Sequence, residues 1–186
     1  MTAAIAAALL AAGLRLAASH GEVAYAEGAP PGFSGGFRED SCHACHFHET
    51  PNAAPGKLTL EGVPAKFTPG ERYTVTITLA RAGMKRAGFQ LAARFKDKGA
   101  QAGTLEPGRA DGERVKIEGA GGVQYAGHKL AGSKIGDGEV VRWIVDWIAP
   151  AGGGPVIFNV AANAADGDER VDGDFIFIAS FETVPQ

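Results

Sequence analysis

Cys42-His43-Ala44-Cys45-His46 contains both cysteines of this 186-residue chain, and the spacing admits few chemistries. A thioredoxin-like redox pair needs the two thiols at the start of a helix inside a βαβ pattern, which the flanking sequence does not offer. A zinc site could draw on Cys42, Cys45, His46 and His48, but four ligands within seven residues is cramped for tetrahedral zinc. A local disulfide leaves the adjacent histidine without a role. Two thiols separated by two residues and followed at once by histidine match attachment of c-type haem. Each sulfur adds to one porphyrin vinyl group, and the imidazole of His46 then lies where it can bind the iron as proximal ligand.

Haem of this kind is attached outside the cytoplasm, so the chain needs an export signal. Residues 3–14 form an unbroken apolar run, too short for a membrane span and of the right length for a signal-peptide core. Ala24-Tyr25-Ala26 supplies the small-x-small pattern for cleavage before Glu27. Arg15 interrupts the apolar segment, and no Lys or Arg precedes it. The expected organisation is a signal peptide over 1–26, a haem-attachment segment over 27–56 and one further domain over 57–186. No other stretch could span a bilayer, so the mature protein is expected to be periplasmic or extracytoplasmic, soluble or peripherally associated. A net charge of −3 and a pI near 5.9 give no footing for nucleic acid or an anionic membrane surface.

Residues 27–37 are rich in Gly and Pro and predict an irregular lead-in. Pro51, Pro55 and Gly56 end any helix begun at the cysteine motif. From Lys57 onward the apolar period is two. Tyr73, Val75, Ile77 and Leu79 alternate with threonines, and Phe89, Leu91, Ala93 and Phe95 alternate with Gln90, Ala92 and Arg94. Val141, Trp143, Val145 and Trp147 share one face of a later strand. Shorter strands are predicted over 58–60, 115–117, 123–125, 156–160 and 175–181. About eight strands divided by Pro-Gly, Asp-Gly and Gly-Gly turns predict an all-β fold, an antiparallel immunoglobulin-like β-sandwich.

The second axial ligand can be narrowed by elimination. His43 lies inside the attachment loop and His48 is two residues from His46, so neither can pass round the porphyrin. Met1 and His20 leave with the signal peptide. His128 and Met84 remain as the usual donors, both within the sandwich, and position favours His128 as distal ligand with Met84 as the alternative. Some thirty residues cannot bury a haem alone. The attached group is therefore expected against an edge or end of the sandwich.

Other features have plainer readings. Asp166, Asp168, Asp172 and Asp174 alternate with Gly and could chelate calcium, but the run is no EF-hand loop and Asp-Gly is ordinary turn chemistry. Trp143 and Trp147 are expected in the core. Arg81, Lys85, Arg86, Arg94, Lys96 and Lys98 form a basic run, read either as a solvated edge or as a surface for an acidic partner or the haem propionates. No Ser-His-Asp order, P-loop or Rossmann glycine pattern is present.

Taken together, several pieces resemble the Reeler-like (reelin N-terminal-type) β-sandwich proteins of exported bacterial type that carry a CxxCH segment. They are Gly28-Ala29-Pro30 ahead of the cysteine motif, Pro69-Gly70 with Tyr73, Gly88-Phe89-Gln90-Leu91, and Tyr125 with His128. Trp143 with Trp147-Ile148-Ala149-Pro150, Val156 with Phe158, Ala161-Ala162-Asn163 and Gly173-Asp174 complete the series. The resemblance implies a Reeler-like sandwich bearing one covalent haem and gives Tyr125 and His128 a matched place in the pattern. Lys129 departs from it, standing where a small hydroxyl residue is expected, and the C-terminal sorting tail of some relatives does not appear.

The expected function is that of an exported monohaem c-type electron carrier with no substrate chemistry of its own. Its partner would be a redox protein, free or within a membrane electron-transfer complex. Two alternatives stand beside it. One is an extracytoplasmic binding or adhesion module in which haem is a structural staple. The other is a haem gas sensor with an open distal site.

Overall fold

Alternating apolar residues bury one face of a strand, and two such faces make a sandwich core. The structure, a computed structural model, describes residues 25–136 and 138–186; the expected signal peptide over 1–26, with Met1 and His20, falls outside them except for Tyr25 and Ala26. Ten strands form two sheets. One sheet has the order β1-β3-β8-β5, from Lys57–Glu61, Arg72–Ala80, Val140–Ile148 and Thr104–Pro107. The other has the order β2-β10-β9-β4-β7-β6, from Lys66–Phe67, Phe175–Pro185, Val156–Ala165, Arg86–Phe95, Val123–His128 and Val115–Ala120. Every pairing is antiparallel except the two-residue contact of β10 with β2. The fold class read from the period-two pattern is the fold observed. The two shortest strands, β2 and β5, carry too few residues to show an alternation and are not foreseen.

Both tryptophans are fully buried between the sheets. Trp147 packs edge-on against Phe67 and Phe158, with ring centroids 5.3 and 4.9 Å away, and Trp143 lies 4.6 Å from Phe89. A buried indole N–H must find an acceptor. Trp143 Nε1 donates to the Gly132 carbonyl at 2.8 Å and Trp147 Nε1 to the Ala102 carbonyl at 2.9 Å.

The six-stranded sheet is buried on both faces at β4 and β9. On β4 the core side carries Phe89, Leu91 and Ala93, yet Gln90, Ala92 and Arg94 on the opposite side are buried as well. On β9, Asn159 and Asn163 are buried away from the core. The cover is the N-terminal arm, residues 25–56, laid across the outer face as a third layer.

Two side chains of β4 hold it there. Gln90 Oε1 accepts from the backbone N–H groups of Gly32 and Phe33, and its Nε2 donates to the Pro30 carbonyl at 2.8 Å. Four residues further on, Arg94 pairs with Glu39 of the arm, which also accepts from the Tyr125 hydroxyl and, at 2.8 Å, from Ser34 Oγ. Burial and the bond to Glu39 push the Tyr125 phenol up to about 12, so it stays a donor. The basic run of the sequence is thereby dispersed. Arg94 is buried in this network, Lys96 pairs with Glu182, and Arg81 stacks on the Phe175 ring.

Removing one member of a buried ion pair strands the other, at a cost of about 3 kcal/mol. Glu39→Gln is expected to lower stability by that amount in urea denaturation and to open the arm to limited proteolysis. The exposed pair of Lys96 with Glu182 is the control, and Glu182→Gln is expected to cost less than about 1 kcal/mol.

Candidate functional site

Where the arm bridges the outer face of the sheet it leaves a cavity of about 580 Å³. That is within the range of small-molecule and cofactor sites. Its walls come from the arm at both its ends, from the start of β4, from the end of β7 and from the loop entering β10. Cys42, Cys45, His46 and His128 all line it.

On the arm side, a 3-10 turn over Cys42–Ala44 sets the cysteine motif. Ser41 caps it, its Oγ accepting from the His43 N–H at 3.2 Å and its carbonyl from the Ala44 N–H at 3.0 Å. The His46 N–H closes the next turn onto the Cys42 carbonyl at 3.0 Å. This winding brings Cys42, Cys45 and His46 to the cavity. His43 and His48 are not among its lining, and His48 is exposed beside Asp172 and Glu49. Burial pushes the Cys42 thiol up to about 12, the opposite of the lowered value a thioredoxin-like nucleophile requires.

The His46 ring is fixed from behind. Its Nδ1 lies 2.6 Å from Asp174 Oδ2, and Asp174 is buried. A carboxylate can only accept, so the ring turns an Nδ1–H toward Asp174. Asn163 Nδ2 donates to the same Asp174 oxygen at 3.2 Å.

On the opposite wall, His128 is the last residue of β7. The β4–β7 register runs only through Gln90↔Gly127 and Leu91↔Ala126. Beyond it, Phe89 presents its backbone to the imidazole in place of another strand. His128 Nδ1 lies 3.1 Å from the Phe89 nitrogen and 3.5 Å from its carbonyl oxygen, so the ring can accept or donate according to tautomer. Desolvation by burial lowers the His128 pKa and so favours the neutral ring. The ring rests on Gly88, where a Cβ would come within 2.5 Å of its Cε1. The residues that seat the two rings, Asn163 on β9 and the end of β7, stand on either side of β4. They are two strand spacings apart, on the order of 10 Å.

Met84 is elsewhere. It is buried in the hydrophobic core and borders a separate, smaller hollow with Lys85 and Glu139. Among the described residues, no three His, Cys, Asp or Glu side chains gather as a metal cluster, at the Asp166–Asp174 loop or at Cys42, Cys45, His46 and His48. Asp166 and Asp168 instead accept from the backbone N–H groups of Asp168 and Arg170 at 3.1 and 2.8 Å.

The cavity therefore fits a covalently attached haem in its donor set: two thiols and an imidazole on one wall, a second neutral imidazole on the other. Arg86 and Arg170 also line it. Sequence reasoning singles out Cys42, Cys45, His46 and His128 but not Asp174, Asn163 or Gly88, whose places arise from register. Gly88 pairs with Asn163 across β4 and β9, a relation that no spacing along the chain displays.

No family model matches the chain, and neither does any curated protein. Among solved structures it is similar to the human F-spondin reeler domain (fragment 1), at 23% identity over 74% of this chain and 93% of that one, with a TM-score of 0.50. It is likewise similar to the Reelin-N domain of F-spondin, at 24% identity over 78% of this chain and 97% of that one, with a TM-score of 0.51. Among the described residues, no helix is long and apolar enough to cross a membrane. The cavity is thus built on a Reeler-like β-sandwich.

Proposed function

We propose that this chain is an exported monohaem c-type electron carrier, its haem held between the N-terminal arm and the outer face of the sandwich. The observation that carries the reading is the convergence of His128 with the distant motif residues Cys42, Cys45 and His46 on one cavity of about 580 Å³. Cys42 and Cys45 are the thioether sites, His46 the proximal ligand and His128 the distal one. Haem bound there supplies a one-electron iron couple whose potential follows from its axial ligands. The remaining parts position and shield. Gly88 leaves room for the His128 ring, Phe33 and Phe89 line the cavity with apolar surface, and Arg86 and Arg170 offer cations to the propionates.

Several observations weigh against the alternatives. Gln90 and Arg94 already fasten the arm, so a structural staple adds little there. A second histidine facing the cavity leaves no open position of the kind a gas sensor needs. Met84 is sequestered in the core and would have to leave it to act as a ligand. The partner in this reading is a redox protein, free or membrane-bound. It would approach near the exposed Cys45 and Phe47.

A pyridine haemochrome assay on protein made with c-type maturation machinery is expected to show one covalent haem per chain; absence of haem would refute the reading. Replacing Cys42 and Cys45 with Ser is expected to abolish attachment while the sandwich still folds. His128→Ala is expected to convert a low-spin, CO-inert spectrum to a high-spin, CO-binding one, whereas Met84→Leu leaves it unchanged. An unchanged low-spin spectrum in His128→Ala would remove the distal assignment alone. Gly88→Ala forces its new Cβ against the His128 ring, at about 1–3 kcal/mol of strain. A mixed-spin spectrum at full haem content is the expected result.

A further inference from the structure

We infer that Asp174, held by Asn163, is a positioning residue for His46 that sets the potential of the bound iron low. The inference rests on the haem reading above. Asp174 is 2% exposed, and its Oδ2 receives both the His46 Nδ1–H at 2.6 Å and the Asn163 Nδ2–H at 3.2 Å. Asp174 Oδ1 has no hydrogen-bond partner among the described residues, so the carboxylate's contacts are concentrated on the oxygen that faces the ring. His46, which lines the cavity, is thus held through Nδ1 against a buried, poorly solvated carboxylate. An outer partner of this kind raises the basicity of an imidazole ligand. A more basic ligand favours ferric over ferrous iron.

Asn163 acts in the opposite sense. It competes for the same oxygen, withdraws density from it and so moderates the pull on the His46 proton. Its own Oδ1 is also buried without a partner, so the side chain satisfies only half its capacity at this position. A residue kept there for packing alone could be an aliphatic one of equal size.

The test is the midpoint potential of the haem-loaded protein. Asp174→Asn keeps shape and removes charge. It is expected to raise the potential, shifting the ferric to ferrous ratio at fixed ambient potential by about tenfold, which is about 59 mV for a one-electron couple. Asn163→Leu removes the competing donor and is expected to lower the potential. Shifts of opposite sign are not what loosening of a merely structural contact would give. Haem content by pyridine haemochrome and the low-spin spectrum are read on the same samples. If the parent chain takes up no covalent haem, the haem reading fails and this inference with it. If both variants carry low-spin haem and their potentials stay at the parent value, or move together, only the role of Asp174 is overturned. Should Asp174→Asn fail to fold, the sign of the Asn163→Leu shift decides.

Discussion

The structure depends on a constraint at β4: both faces of a strand in an open sandwich are buried, and one of those faces carries Gln90 and Arg94. A buried guanidinium and a buried amide must be satisfied or they destabilise the fold by several kcal/mol. The arm answers them with backbone groups at residues 30–33 for Gln90 and with Glu39 for Arg94, whose Nε alone is left without a partner among the described residues. Docking of the arm is therefore a folding requirement of the sheet. The cavity lies beneath the arm at the start of β4, where Gly88 leaves room for the His128 ring that forms one of its walls.

That dependence explains why the cysteine motif has a fixed place in a segment with so little regular structure. Residues 25–56 contain one 3-10 turn and the isolated bridge Ser34↔Ser41. Their order comes from the sheet beneath. Gly36 lies so close to Asn159 that a Cβ would overlap it, and Asn52 bonds the backbone of Ile178 through both its amide atoms. With Gln90 and Glu39, these contacts pin the arm on either side of Cys42–His46.

How much of this was legible in the sequence follows from the range of the interactions concerned. The strand alternation at Tyr73–Leu79 and the histidine after the second cysteine are local patterns, and they lead directly to the sandwich and to the attachment motif. His128 is reached by elimination, and the structure brings it to the same cavity as the motif. Arg94 shows the limit. In a period-two pattern it reads as a solvent-facing cation, because nothing in the strand says that another layer will cover it. Asp174 has the same difficulty, since an Asp-Gly-rich loop reads as turn chemistry whether or not one carboxylate turns inward. The pieces that resemble a Reeler-like protein tell more than they first reveal. Gly28-Ala29-Pro30 is the part of the arm that meets Gln90 and the His128 carbonyl, Gly88 seats the His128 ring, and Asn163 and Asp174 stand behind His46. Motifs scattered over the chain converge on one cavity.

The two walls of that cavity differ in how they are held. His128 stands at the end of a hydrogen-bonded strand, over a glycine of the neighbouring one, and is positioned by the sheet itself. His46 belongs to the arm and is tied down through its Nδ1, by the buried Asp174 carboxylate and the Asn163 amide of β9. A site whose donors are fixed before the ligand arrives loses little ordering entropy on binding. In the proposed haem reading, rigid donors on both sides also mean that the surrounding protein need not rearrange between the two oxidation states. A sandwich face with a docked arm provides that rigidity without a helical bundle. The Gln90 and Glu39 anchors are accordingly as much a part of the site as the residues that line the cavity.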